Sequence, residues 1–252
     1  MNAGTLTLTK APIVEAVLDI DCELPPEFDL AGAEPRGRQS FGSGYNSVRK
    51  QVMHEHQIAV RPNTEPTTSN RRTLNALQFV HADGRQIVQV RTRGYSFNRL
   101  APYTTLDDYL PEIKRTWECY VQLAAPVQIR AIRLRYINRI LLPMAGGKVD
   151  LDLYFRVGPH LPDEERLEFA GFLNQHAAVE PTTGHQVNIV LTAQASEGDS
   201  QPVIFDNMAT CSDHGEPTDW HWIAGKIAAL RDLKNHVFRG SLTDRCIELF
   251  HG

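Results

Sequence analysis

Apolar and charged residues trade places along Gln128–Pro143, QIRAIRLRYINRILLP. Side chains alternate from one face of a β-strand to the other, so Ile132, Leu134, Tyr136 and Ile140 fall on one side. Arg133, Arg135 and Arg139 fall on the opposite side. Residues 12–21, PIVEAVLDID, show the same division with the opposite charge: Val14, Ala16, Leu18 and Ile20 against Glu15, Asp19 and Asp21. Each pattern predicts a strand buried on one face.

Residues 74–100 read as a hairpin. Its first strand is 74–81, its turn is Ala82-Asp83-Gly84-Arg85, and its second strand is 86–100. On that second strand Val88, Val90 and Thr92 share one face, and Arg91, Arg93, Tyr95, Phe97 and Arg99 the other. Gly94 marks a bulge or a close backbone approach. Between 27 and 73 the pattern is weak. Val48, Val52 and Met53 predict a helix over 47–56, followed by a long polar loop.

Helical spacing is clearest over 105–123, where Leu106, Tyr109, Leu110, Ile113, Trp117, Tyr120 and Val121 recur. Pro111 favours Asp108 over Thr105 as the N-cap, because proline then stands in the first turn. The second half starts again with an alternating strand at 149–157. A helix follows at 163–175, with Leu167, Phe169, Ala170 and Leu173 inward, then strands at 186–195 and 202–211. A long helix at 219–238 carries the stripe Ile223, Ile227, Leu230, Leu233 and Val237, with Asp219 as N-cap. Gly240 ends it, and Ser241 or Thr243 caps a short last helix.

The repeated element order predicts an α+β fold of two ferredoxin-like βαββα(β) halves, 1–145 and 146–252. The sheets are mainly antiparallel, with helices packed on one face. In the first half, strand 12–21 then lies between the hairpin's second strand and Gln128–Pro143. Glu15 and Asp19 would stand between Arg91 and Arg93 on one side and Arg133 and Arg135 on the other.

Composition bounds the chemistry. Of the 252 residues 42% are hydrophobic and 22% charged, as in an ordinary globular protein, and a net charge of −4 gives no global field for polyanions. An anion site must be local. The N-terminus shows no apolar signal core and no stretch is long enough for a membrane helix, which points to a cytoplasmic protein. Cys22, Cys119, Cys211 and Cys246 are scattered and read as reduced, mostly buried thiols; no Cys/His spacing indicates zinc, and His54 and His56 would not share a helical face. A nucleophile elbow, a P-loop, a dinucleotide fingerprint and an HExxH helix are all absent from the sequence. Asp206-Asn207 and Asp213-His214 read as turn chemistry, and Trp220 and Trp222 as core or partner-facing residues.

PIVEAVLDI at 12–20, FNRLAPY at 97–103, Trp117 with Tyr120, RLRYINRI at 133–140 and NHVFRGSLTD at 235–244 together resemble a sporadically distributed bacterial family of uncharacterised proteins. The resemblance spans the chain. It implies a cytoplasmic bacterial protein with an accessory role, and brings no catalytic residues.

The candidate ligand-binding set is therefore the arginines Arg91, Arg93, Arg99, Arg133, Arg135 and Arg139. Cross-strand ion pairing is one reading of them. A nucleic-acid or nucleotide surface, with Tyr95, Phe97 and Tyr136 stacking bases, is a second. A charged face buried between the two halves is a third. The expected function is non-catalytic binding or regulation, through this face or the groove between the halves, with a protein partner or a second copy. RNA, DNA or nucleotide binding is the alternative, and an enzyme acting on phosphate-containing substrates the third; no cofactor or metal is called for.

Overall fold

A computed structural model describes residues 8–59, 67–163, 166–167 and 169–251. At its centre is β1, Ile13–Glu23. It pairs antiparallel on one side with β5, Gly94–Leu100, and on the other with β6, Gln128–Pro143. Beyond β5 follow β4, Gln86–Arg91, then β3, Thr67–Val80, and β2, Ser47–Ala59. Beyond β6 follow β9, Ser200–Cys211, then β8, Gln186–Ala193, and β7, Leu173–Val179. Among the described residues the result is one nine-stranded antiparallel sheet in an α+β fold.

The alternation in β1 and β6 has the predicted consequence. Ala16, Leu18, Ile20, Ile132, Leu134 and Tyr136 are all buried in one apolar core. Helices cover only that face: α1, Glu34–Phe41; α2, Leu106–Ala124; α3, Trp220–Ser241; and α4, Asp244–Glu248. A second cluster, with Ile140, Leu142, Phe205, Phe238 and Cys246, continues the core under the other end of the sheet. The opposite face carries no helix among the described residues.

Several elements differ from expectation. The segment 47–56 is the start of strand β2, not a helix. The β2–β3 register shifts between Gln51 and Val52, which disturbs the period of two and gives Val48 and Val52 a helix-like spacing. The segment 86–100 is two strands, because the chain reverses at Thr92-Arg93 and Arg91 faces Gly94. At 149–157 there is a 3-10 turn, Leu151–Leu153, and an isolated bridge from Phe155 to Leu242, not a strand. The expected helix at 163–175 is missing where described, and Leu173 opens β7. Its intended inward residues Leu167 and Leu173 are 47% and 70% exposed, so no core holds them in a helix. The ferredoxin-like βαββα order is therefore not the order of the second half. The sheet also runs unbroken across 145/146, since β6 pairs with β9 from Ile132↔Cys211 to Pro143↔Ser200.

Thr105, not Asp108, caps α2. Asp108 N–H donates to Thr105 Oγ1 at 3.3 Å, and Asp108 Oδ2 accepts from Thr105 N–H at 3.2 Å. This reciprocal box tolerates Pro111 inside the helix at the loss of one i→i−4 bond. Asp219 caps α3 through Trp222 N–H at 2.9 Å, and α3 runs through Gly240 to Ser241. Thr243 caps α4.

Candidate functional site

Because β1, β5, β6 and β9 are antiparallel, residues facing one another across the ladder share a face. On the uncovered face Val17 stands opposite Arg135, Asp19 opposite Arg133, and Arg135 in turn opposite Met208. Asp21 bridges three strands: its carboxylate accepts from Arg91 Nη2 at 2.8 Å and from Arg133 Nη1 at 2.5 Å. Arg135 grips Asp206 through Nε, at 2.9 and 3.0 Å from the two carboxylate oxygens, and through Nη2. That contact, with burial working against it, raises the Arg135 pKa further. Arg139 reaches Gln194 Oε1 at 3.0 Å and Glu197. Ser96 Oγ donates to Asp19, and Asn98 Nδ2 to Glu15 at 2.7 Å.

Four of the six candidate arginines, Arg91, Arg133, Arg135 and Arg139, thus lie on the uncovered face, each with a carboxylate. The other two do not join them. The reversal at Thr92-Arg93 places Arg93, exposed, in the turn, and puts Tyr95, Phe97 and Arg99 on the helix face. Arg99 lies 5.2 Å from the centre of the Tyr109 ring and pairs with Asp83. Tyr95, Phe97 and Tyr136 are 0%, 3% and 3% exposed, so they pack the core and offer no stacking platform. Beyond the expected Glu15 and Asp19, Asp21 and Asp206 supply the carboxylates that pair with Arg91, Arg133 and Arg135. These pairs are partly solvated, and each contributes about 0.2–1 kcal/mol.

Next to Arg133 and Arg135 the same face dips into an open groove of about 260 Å³, lined by Ala177, Val179, Gln186, Asn188, Met208 and Thr210. The groove ends at β7, the edge strand, whose Leu173 and Val179 are 70% and 59% exposed.

Under the sheet lies a polar group that the expected apolar stripe of α3 leaves out. The buried residues of α3 are Ile223, Ile227, Leu230, Lys234, Phe238 and Ser241, so Lys234 and Phe238 join the expected stripe, while Leu233 packs against the core partly buried and Val237 is half-buried. The spacing of Lys234, four residues from both Leu230 and Phe238, was the available signal. Its Nζ lies 3.6 Å from the centre of the Tyr136 ring, and its backbone carbonyl accepts from Asn207 Nδ2 at 2.9 Å. Asn207 Oδ1 is buried and has no hydrogen-bond partner among the described residues. Burial, with repulsion from Arg231, pushes the Lys234 ammonium down from 10.5 to about 7. A base whose pKa is lowered by folding binds fewer protons folded than unfolded between those two values. Stability should therefore rise from about pH 7 towards 10.5, by up to about 1.4 kcal/mol per pH unit. Lys234→Met should flatten this dependence and stabilise the protein more at pH 6 than at pH 9, as read by denaturant titration at both. An unchanged pH dependence would show that Lys234 titrates normally.

Among the described residues one trio of metal-ligating type converges: His185, Cys211 and Asp213. It had no sequence signature, because strand pairing rather than spacing unites it. Cys22 and Cys246 lie elsewhere, and burial pushes each thiol up to about 12. No described helix is long and apolar enough to cross a membrane. No protein-family model matches the chain, and no curated protein matches it.

Proposed function

We propose that this protein is a non-catalytic binding protein whose partner is an extended protein segment, taken up along β7 and the adjoining groove of the uncovered face. The observation that carries this reading is the exposed edge. A strand at the end of a sheet presents unpaired N–H and C=O groups, and natural proteins usually blunt such edges with charge or proline. β7, LNQHAAV, holds neither an acidic or basic residue other than histidine nor proline, and exposes Leu173 and Val179. A strand added there gains main-chain hydrogen bonds, and the groove beside it accepts small apolar side chains. Arg133 and Arg135, already tied to Asp21 and Asp206, make a rigid rim rather than a free cationic surface.

Polyanion binding makes a different demand, because phosphate contacts need arginines that are not neutralised. Titration of the wild-type protein with single-stranded RNA, single-stranded DNA and nucleotides at low salt should show no binding. Arg133→Ala combined with Arg135→Ala should appear as a modest loss of stability, about 1 kcal/mol per pair. Tight binding with a salt slope that falls by about two phosphate contacts in the double variant would replace this reading with a nucleic-acid function.

A further inference from the structure

Cys211 closes β9, and its side chain faces the helices. Gln186 pairs with Thr210, so His185, one residue earlier, stands across from Cys211 on the same face. Cross-strand neighbours of this kind hold their Cβ atoms about 5 Å apart. Asp213 follows in a loop fixed at two points. Gly215 bridges to Ile129, with Ile129 N–H donating to the Gly215 carbonyl at 2.9 Å, and the Pro217 carbonyl accepts from the Trp117 indole at 2.9 Å. The ligand atoms of His185, Cys211 and Asp213 all lie within 4.8 Å of one another. His185 and Cys211 are 4% and 0% exposed, while Asp213 faces solvent.

We propose that His185, Cys211 and Asp213 form a mononuclear site for a thiophilic divalent cation, zinc above all, with the fourth coordination position open on the Asp213 side. Imidazole, thiolate and carboxylate are each zinc ligands, and three protein ligands with one open position is a regular zinc arrangement. The sulfur donor selects against magnesium and calcium, which prefer oxygen. Two changes accompany binding. The Cys211 S–H bond breaks as the metal–sulfur bond forms, and its proton leaves to solvent. The Lys226 ammonium, now 2.5 Å from Asp213, gives up that carboxylate to the metal. The site is independent of the β7 groove.

The bland account of the same residues is a Lys226–Asp213 ion pair beside a buried thiol and imidazole. A cobalt titration separates the two. Chelator-treated wild-type protein should bind one equivalent of Co²⁺ with a thiolate-to-metal absorption band in the near ultraviolet, and Zn²⁺ should displace it. Cys211→Ser should abolish the band, and His185→Ala should weaken binding by about 100-fold or more, since even outer-shell changes cost 10–100-fold. Lys226→Met removes a competitor on the surface and should tighten binding. That variant carries the test even if a change at the buried Cys211 prevents folding. Absence of Co²⁺ and Zn²⁺ binding, a thiolate band that survives Cys211→Ser, or an affinity that Lys226→Met leaves unchanged would each overturn the proposal.

Discussion

Trp117→Ala is expected to cost about 3–5 kcal/mol of folding stability, the range for emptying a large aromatic site in a packed core. Trp117 is 1% exposed at the centre of the buried stripe of α2. Its ring stacks on Tyr120 with centroids 5.3 Å apart and meets the edge of Tyr95 at 5.5 Å. Its indole N–H also donates to the Pro217 carbonyl, tying α2 to the loop that leads into α3. Removal empties the core between helix and sheet, strips a buried carbonyl of its donor and loosens that loop together. Trp117→Phe keeps much of the packing and loses the hydrogen bond, so it should cost less. Denaturant titration reads both changes as shifts of midpoint; a loss under about 1 kcal/mol for Trp117→Ala would mean the stripe is not packed as described.

Gly94→Ala is expected to lose about 3 kcal/mol or more, because two penalties coincide there. Gly94 holds φ +140, a region that L side chains rarely adopt. A Cβ added to it would also stand 2.1 Å from the Ile20 carbonyl oxygen and 2.9 Å from Asp21 Cα, both backbone atoms of the central strand. Relief requires β5 to move away from β1, which disturbs the pairing from Asp21↔Gly94 onward. Gly84→Ala is the control. Gly84 has φ +69 with nothing within 4 Å of an added Cβ, so only backbone strain of about 1 kcal/mol is expected. Thermal or chemical melts of the two variants should differ clearly. Equal losses would show that the close approach at Gly94 is readily relieved.

The central sheet was legible because its alternation is strong and uninterrupted. Leu18 and Ile20 on β1, and Ile132 and Leu134 on β6, are 0–2% exposed as their parity requires, and the charged residues between them face away. Trp117 and Ile223 were equally legible from helical spacing. What failed was wherever period two is broken. At Thr92-Arg93 the chain turns back, so Arg99 and Phe97 exchange the face that counting from Arg91 assigns them. At Gln51/Val52 the register slips, and a strand imitates a helix. On the second half of α3 the fully buried positions move one residue on, to Lys234 and Phe238; a lysine carries no apolar signal, so Lys234 was not in the expected stripe, although its ammonium sits over the Tyr136 ring. The candidate site suffered from the same limits. Arg133 and Arg135 stood where expected, but their partner carboxylates depended on pairings that sequence does not reveal: Asp21 as a bridge from β4 to β6, and Asp206 from β9. The convergence of His185 on Cys211 depends on the β8–β9 register in the same way.

The proposed binding edge is tested most directly by site-specific photo-crosslinking in cells producing the full chain. A photoreactive residue is placed in turn at Val179, exposed on β7, and at Glu118, exposed on α2 away from the sheet edge. The account predicts a discrete protein adduct from position 179 and none from position 118. The same adduct should disappear when β7 carries Ala177→Lys, which adds charge to the edge and groove. Equal crosslinking from both positions, a nucleic-acid adduct, or no adduct from position 179 would contradict it.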